Sequence, residues 1–195
     1  MSTVKEKIKG GFDLVFLFGR GIKPFQEEGT KQAALKSLWI PALLYPVAPL
    51  MAWFYPPIGM QDGSYPYSQI FMTVTAFYIL SLAVNLLLVW LFAYWLKQED
   101  RFWLCMQAGN WVSIPMTIIT LPIALAMIFD WIPREQMDRI SVIVTCYSFL
   151  VGACITLRSF KINWELAGFL ACMSLFACQQ VWNALYKLQG IAIVW

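Results

Sequence analysis

The sequence predicts an all-α integral membrane protein, a five-helix transmembrane bundle behind a cytoplasmic N-terminal amphipathic arm. Three observations predict it. Residues 70–96 and 110–129 contain no Asp, Glu, Lys or Arg. Across the 195 residues, 60% are hydrophobic and 13% charged, whereas a soluble domain carries about 25% charged residues. Lys and Arg also distribute unevenly: seven precede the first apolar run and none lies in the loop after it.

The arm, residues 1–36, comes first. Lys5, Lys7 and Lys9 alternate with Val4, Ile8, Phe12, Val15 and Phe16. A basic, aromatic-rich segment suits an interfacial helix on an anionic leaflet, with Lys5, Lys7, Lys9 and Phe12 in contact with lipid. Packing on the protein's own cytoplasmic face is the other reading. Gly10 and Gly11 weaken this helix at its middle, and Gly19, Gly21 and Pro24 end it. Residues 25–36 read as a second helix running into the first span. The apolar run after the basic start is short and lacks a small-residue cleavage site, so no signal peptide is visible.

The membrane domain, residues 37–195, holds spans at 37–55, 70–96, 109–129, 140–157 and 164–186. Each approaches the length of about 20 residues that a bilayer core requires. The second is long enough to tilt, and the fourth is short. Trp39 and Trp53 bracket the first span, Trp111 and Trp131 the third, Trp164 and Trp182 the fifth, as interfacial anchors do. Trp90, inside the second span, is expected to pack deeper. With the N-terminus inside, eleven Lys and Arg fall on the inner side and three on the outer. The positive-inside rule then places the N-terminus in the cytoplasm and the C-terminus outside.

The chain has no His, which excludes a His-ligated haem or metal site and a His general base. The five Cys are scattered and form no CxxC pair, as small packing residues do. Glu165, at the start of the fifth span, is the one ionisable residue in the spans, so a proton relay is not predicted. Two charged groups stand outside them: Glu99, Asp100 and Arg101, and Arg134, Glu135, Asp138 and Arg139. Both read as loop charges rather than as an active site. No catalytic, cofactor-binding or metal-binding residue is assigned, no cofactor is expected, and the chain is read as not an enzyme.

Uncharged polar residues are few. Asn85 lies near mid-membrane and Asn110 at the head of the third span. Lipid offers such groups no partner, so an interhelical hydrogen bond is expected. Pro41, Pro46, Pro49, Pro115 and Pro122 kink the first and third spans. In the fourth span Ser141, Thr145, Ser148 and Gly152 recur at i, i+4, i+7 and i+11, and Ala167, Ala171, Ser174 and Cys178 repeat that spacing in the fifth. Only a short turn separates these spans, so the two small faces are expected to meet in an antiparallel seam.

The order of parts resembles the Yip1 family. The segments KEKIKGGFDLVF, KPFQEEGTKQAALKSLWIPALL and RFWLCMQAGNWVSIPMTIITLP carry the resemblance, with Phe102, Ala108, Trp111 and Pro115 at the matching places. The turn between the last two spans is shorter and more polar than that family's apolar hairpins. The resemblance implies a bacterial inner (plasma) membrane protein acting as a non-catalytic scaffold, adaptor or accessory subunit. Its partners would be membrane lipids and other membrane proteins or itself, with no nucleic acid. The alternative is a small-solute permease built around the kinked first and third spans.

Overall fold

The structure, a computed structural model, describes residues 2–54, 56–57, 60, 65–129 and 131–190, without the side chains of Arg134, Glu135, Met137 and Asp138. Residues 58–59 and 61–64 of the first loop and the side-chain charges at 134, 135 and 138 therefore lie outside what is described. Helices are the only regular elements among those described. Four stretches are long and apolar enough to cross a membrane: Lys31–Phe54, Tyr67–Trp95, Glu99–Ile128 and Arg139–Phe160.

Helix α1 (Val4–Val15) starts at a capping box. The Thr3 side chain accepts from the Glu6 N–H, and the Glu6 carboxylate accepts from the Thr3 N–H at 2.7 Å. The helix runs unbroken through Gly10 and Gly11, contrary to the weakening expected there, because tertiary packing holds both. It ends where Leu17 turns left-handed (φ 62°) and Phe18 N–H reaches the Asp13 carbonyl at 2.7 Å, a Schellman closure. A 3₁₀ turn (Gly19–Ile22) and α2 (Lys23–Gln26) then bring the chain back along α1.

The first span is not one helix. It is built from α3 (Lys31–Ser37), capped by Thr30, then α4 (Trp39–Leu44) and α5 (Val47–Phe54). Proline is the cause: Pro41 and Pro46 carry no N–H for the carbonyls four residues earlier, and the breaks fall at Leu38 and at Tyr45–Pro46.

The remaining elements are long. Helix α6 (Tyr67–Trp95) is continuous; α7 (Glu99–Ile128) begins well before residue 109 and keeps Pro115 and Pro122 inside it. Lys97 (φ 56°) makes the sharp turn between them. Helix α8 (Arg134–Phe160) is longer than the expected fourth span and ends at Lys161 (φ 53°). Helix α9 (Trp164–Leu188), capped by Asn163, has 25 residues. It carries Glu165, Gln179, Gln180, Asn183 and Lys187, and falls outside the set apolar enough to cross. The expected count of five is not reached: four stretches qualify, and α9 is a further, more polar helix.

Helices α6 and α9 lie antiparallel. Thr73 meets Gln189, Phe77 meets Trp182, and Asn85 meets Cys178 along their shared face. The main core gathers at one end, where Leu14, Phe25, Ile40, Phe92, Trp111, Val112, Val151 and Phe160 pack together. A smaller cluster of Ala52, Ile70, Val74 and Tyr186 sits elsewhere. Trp90 does not pack deeper: it is 43% exposed and stacks on Tyr94, one turn on along the outward face of α6. All five cysteines are free.

Candidate functional site

The arm is docked onto the bundle, and its glycines are why it fits. Gly10 and Gly21 bring two backbones together: a Cβ on Gly10 would stand 2.8 Å from the Gly21 carbonyl oxygen. Gly11 faces α7 instead. A Cβ there would lie 3.1 Å from the Trp111 carbonyl oxygen and 3.4 Å from the Pro115 ring. Pro115 has no N–H to give to Trp111, four residues back, so α1 approaches α7 where its backbone ladder is open. Leu14, Val15 and Phe25 are fully buried beneath this contact. Tyr147 of α8 donates to the Val15 carbonyl at 2.7 Å, closing the far side.

Polar contacts fix the arm's register. Lys7 pairs with Glu28 and lies 5.9 Å from the centre of the Trp111 ring. Arg20 pairs with Asp13 through two bonds of 3.1 Å. Of the four residues expected against lipid, Lys5 and Lys9 are exposed and Phe12 is half-buried. Lys7 is the correction: its side chain is 14% exposed and bonded to Glu28, so it faces protein.

The Lys7 hydrogen bond holds the Glu28 carboxyl below its ordinary 4.5. The Thr3 N–H does the same for Glu6. A depressed carboxyl contributes stability above its unfolded value and loses it as pH falls through the folded one. Arm docking, read by limited proteolysis, is therefore expected to weaken as the pH drops below about 4.5. Lys7→Gln should weaken docking at neutral pH and make that dependence shallower. An unchanged pH profile in the variant would show that the pair does not hold the arm.

Between α1, α3 and the first half of α7 opens a cleft of about 680 Å³. Lys7, Glu27, Glu28, Lys36, Gln107 and the Trp39 and Trp111 rings line it. The two Trp meet edge to face at 6.2 Å. Gln107 is 1% exposed and its Oε1 has no hydrogen-bond partner among the described residues. Sequence reasoning passed over Gln107, because a Gln in the polar entry of a span looks like an exposed flank.

Both intramembrane Asn residues clasp helices. Asn85 donates to the Ser81 carbonyl at 3.0 Å and across to the Cys178 sulfur of α9 at 3.1 Å. Asn110, buried, donates to Ser37 Oγ of α3 at 2.8 Å. The broken first span is served likewise. Tyr78 and Tyr67 of α6 donate to the Pro41 and Pro49 carbonyls at 2.8 and 3.0 Å.

The α8–α9 seam departs from the expected one on the α8 side. Ala153 and Leu157, not Gly152, pack against Ala167 and Ala171. Ser141, Thr145 and Ser148 are exposed. Ser174 is half-buried, and Cys178 reaches α6 through Asn85. The helices meet near their turn and separate beyond it, where α6 takes over the contact with α9. A Cβ on Gly152 would meet nothing within 4 Å. Ala167→Leu is therefore expected to destabilise by roughly 1–3 kcal/mol through overpacking, and Gly152→Leu far less. Thermal unfolding in detergent checks the order, and a larger loss for Gly152→Leu would reinstate the original face.

Among the described residues no three His, Cys, Asp or Glu side chains converge to hold a metal. No family model, curated protein or solved structure matches the chain.

Proposed function

We propose that the protein is a non-catalytic, multi-pass membrane scaffold or accessory subunit, acting through helix–helix and lipid contacts. The observation that carries this is the use of the polar groups in the spans. Asn85 and Asn110 each bond a neighbouring helix, and Tyr67 and Tyr78 cover carbonyls of the Pro-broken span. Groups engaged in this way brace a bundle rather than line a solute path. The reading includes α9 as a fifth span, an N-terminus in the cytoplasm of a bacterial cell, a C-terminus outside, and kinship with the Yip1 family. The outward row of Leu87, Trp90, Leu91, Tyr94 and Trp95 on α6 supports contacts with lipid or with another membrane protein, since all five are exposed.

Two measurements test it. Reporter fusions at Gln61 and Asp138 should appear outside and those at Glu99 and Asn163 inside. A cytoplasmic signal at Gln61 would overturn the topology. Purification from native membranes in mild detergent should yield a stoichiometric membrane companion or a self-assembly. A monomer that speeds solute flux across reconstituted vesicles would replace the scaffold with the permease.

A further inference from the structure

The cleft beneath the arm combines features that the scaffold reading does not use. Gln107 Oε1 is an acceptor without a partner among the described residues, in a side chain 1% exposed. Buried polar atoms in folded proteins are nearly always bonded, and leaving one unpaired is destabilising. A donor brought from outside would therefore be held well. The charges around it are specific too. Lys7 and Glu28 neutralise each other. Lys36 and Glu27 make no salt bridge among the described residues, leaving one cation and one anion on the cleft wall. The depth is that of a headgroup, because α3 ends here, the apolar α4 begins, and Trp39 stands 51% exposed at the junction.

We propose that this cleft binds an aminoalkyl phosphate: a phosphate that meets Lys36, and a primary ammonium whose N–H groups reach Gln107 Oε1 and Glu27. An ethanolamine phospholipid has this chemistry, as does free phosphoethanolamine. A choline headgroup carries the same charges but no N–H. A glycerol headgroup has O–H donors but no cation. The three therefore separate the contributions of charge and of the Gln107 acceptor. The proposal rests on the chain being embedded in a bilayer, which retention in membranes through an alkaline wash checks separately.

The test is native mass spectrometry of the full-length protein in mild detergent. It is titrated with ethanolamine, choline and glycerol phospholipids of identical acyl chains, and with free phosphoethanolamine. The ethanolamine lipid is expected to bind about tenfold more tightly than the choline lipid, the scale of one good hydrogen bond. Gln107→Met should bring that ratio close to one. Lys36→Gln should weaken both lipids together and leave the ratio intact. Ethanolamine lipids bearing one, two and three N-methyl groups make the same point on the unaltered protein, so the test survives a variant that fails to fold. Affinity should fall with each N–H lost. Free phosphoethanolamine binding as tightly as the lipid assigns the site to the soluble molecule, and weaker binding assigns it to the membrane; either satisfies the proposal. Equal affinity for ethanolamine and choline lipids, or a preference untouched in Gln107→Met, overturns it.

Discussion

Gly21→Ala is expected to unseat the N-terminal arm. The new methyl would stand 2.6 Å from the Gly10 carbonyl oxygen and 2.7 Å from the Leu14 nitrogen. Both are backbone atoms of a continuous helix, so neither moves without moving α1. Overpacking of this kind costs about 1–3 kcal/mol where side chains yield, and more where they cannot. Here the backbone must give, so the upper part of that range is expected. Trypsin should then cut at Lys5 and Lys9 much faster than in the parent protein. Gly109→Ala is the control, since a Cβ there would meet nothing within 4 Å. It sits inside α7, where Ala is favoured over Gly by about 0.5–1 kcal/mol. Equal protease resistance in the two variants would mean that the Gly10–Gly21 contact does not decide docking.

Phe25→Ala should be the most damaging truncation in the arm. Phe25 is 0% exposed and packs in the main core with Leu14, Ile22 and Leu104. Its ring reaches Gly10, where a Cβ would lie 3.3 Å from Cε2. Emptying such a site costs about 3–5 kcal/mol in lost burial and residual cavity. Phe16, 56% exposed, is the comparison; Phe16→Ala should stay within about 0.5 kcal/mol, as surface changes usually do. Hydrogen exchange is the sharper readout. Phe25→Ala is expected to deprotect the α1 amides while α6 and α9, held together along their shared face, keep their protection. Uniform deprotection across all helices would show that the arm and bundle unfold as one unit.

What could be read from the chain follows from the range of each interaction. The apolar runs announced helices at 70–96, 109–129, 140–157 and 164–186, because a bilayer-length run needs no partner to be recognised. Asn85 and Asn110 were legible as groups that required a bond, but Cys178 and Ser37 were not legible as the partners. The proline-dense first span was expected to kink, and the structure divides it into three short helices. The misreadings at the arm and at the α8–α9 seam concern close approach in three dimensions. Gly10 and Gly11 looked like helix weakeners because their neighbours, Gly21 and Trp111, sit on other elements. The small-residue stripe of α8 had the right spacing, yet the packed face holds Ala153 and Leu157. Spacing shows that a face exists; the angle between two helices decides which face is used. The cleft around Gln107 was invisible for the same reason, since α1, α3 and α7 are all needed to make it.

The docked arm also sets an order of events during synthesis. Residues 4–15 leave the ribosome well before their seat on α7, about a hundred positions later, and before the Tyr147 hydroxyl that bonds Val15. At about 5–20 residues per second the arm waits roughly 5–30 s for that seat to emerge. Throughout this interval Leu14, Val15 and Phe25 lack the cover that α7 and α8 later give them. A nascent helix with Lys5 and Lys9 on one side and bare Leu and Val on another is suited to rest on the membrane surface. On the proposed lipid contact of the arm, attachment and protein docking would be successive states of one segment. A change that strengthens the first, such as added positive charge at Glu6, should delay the second.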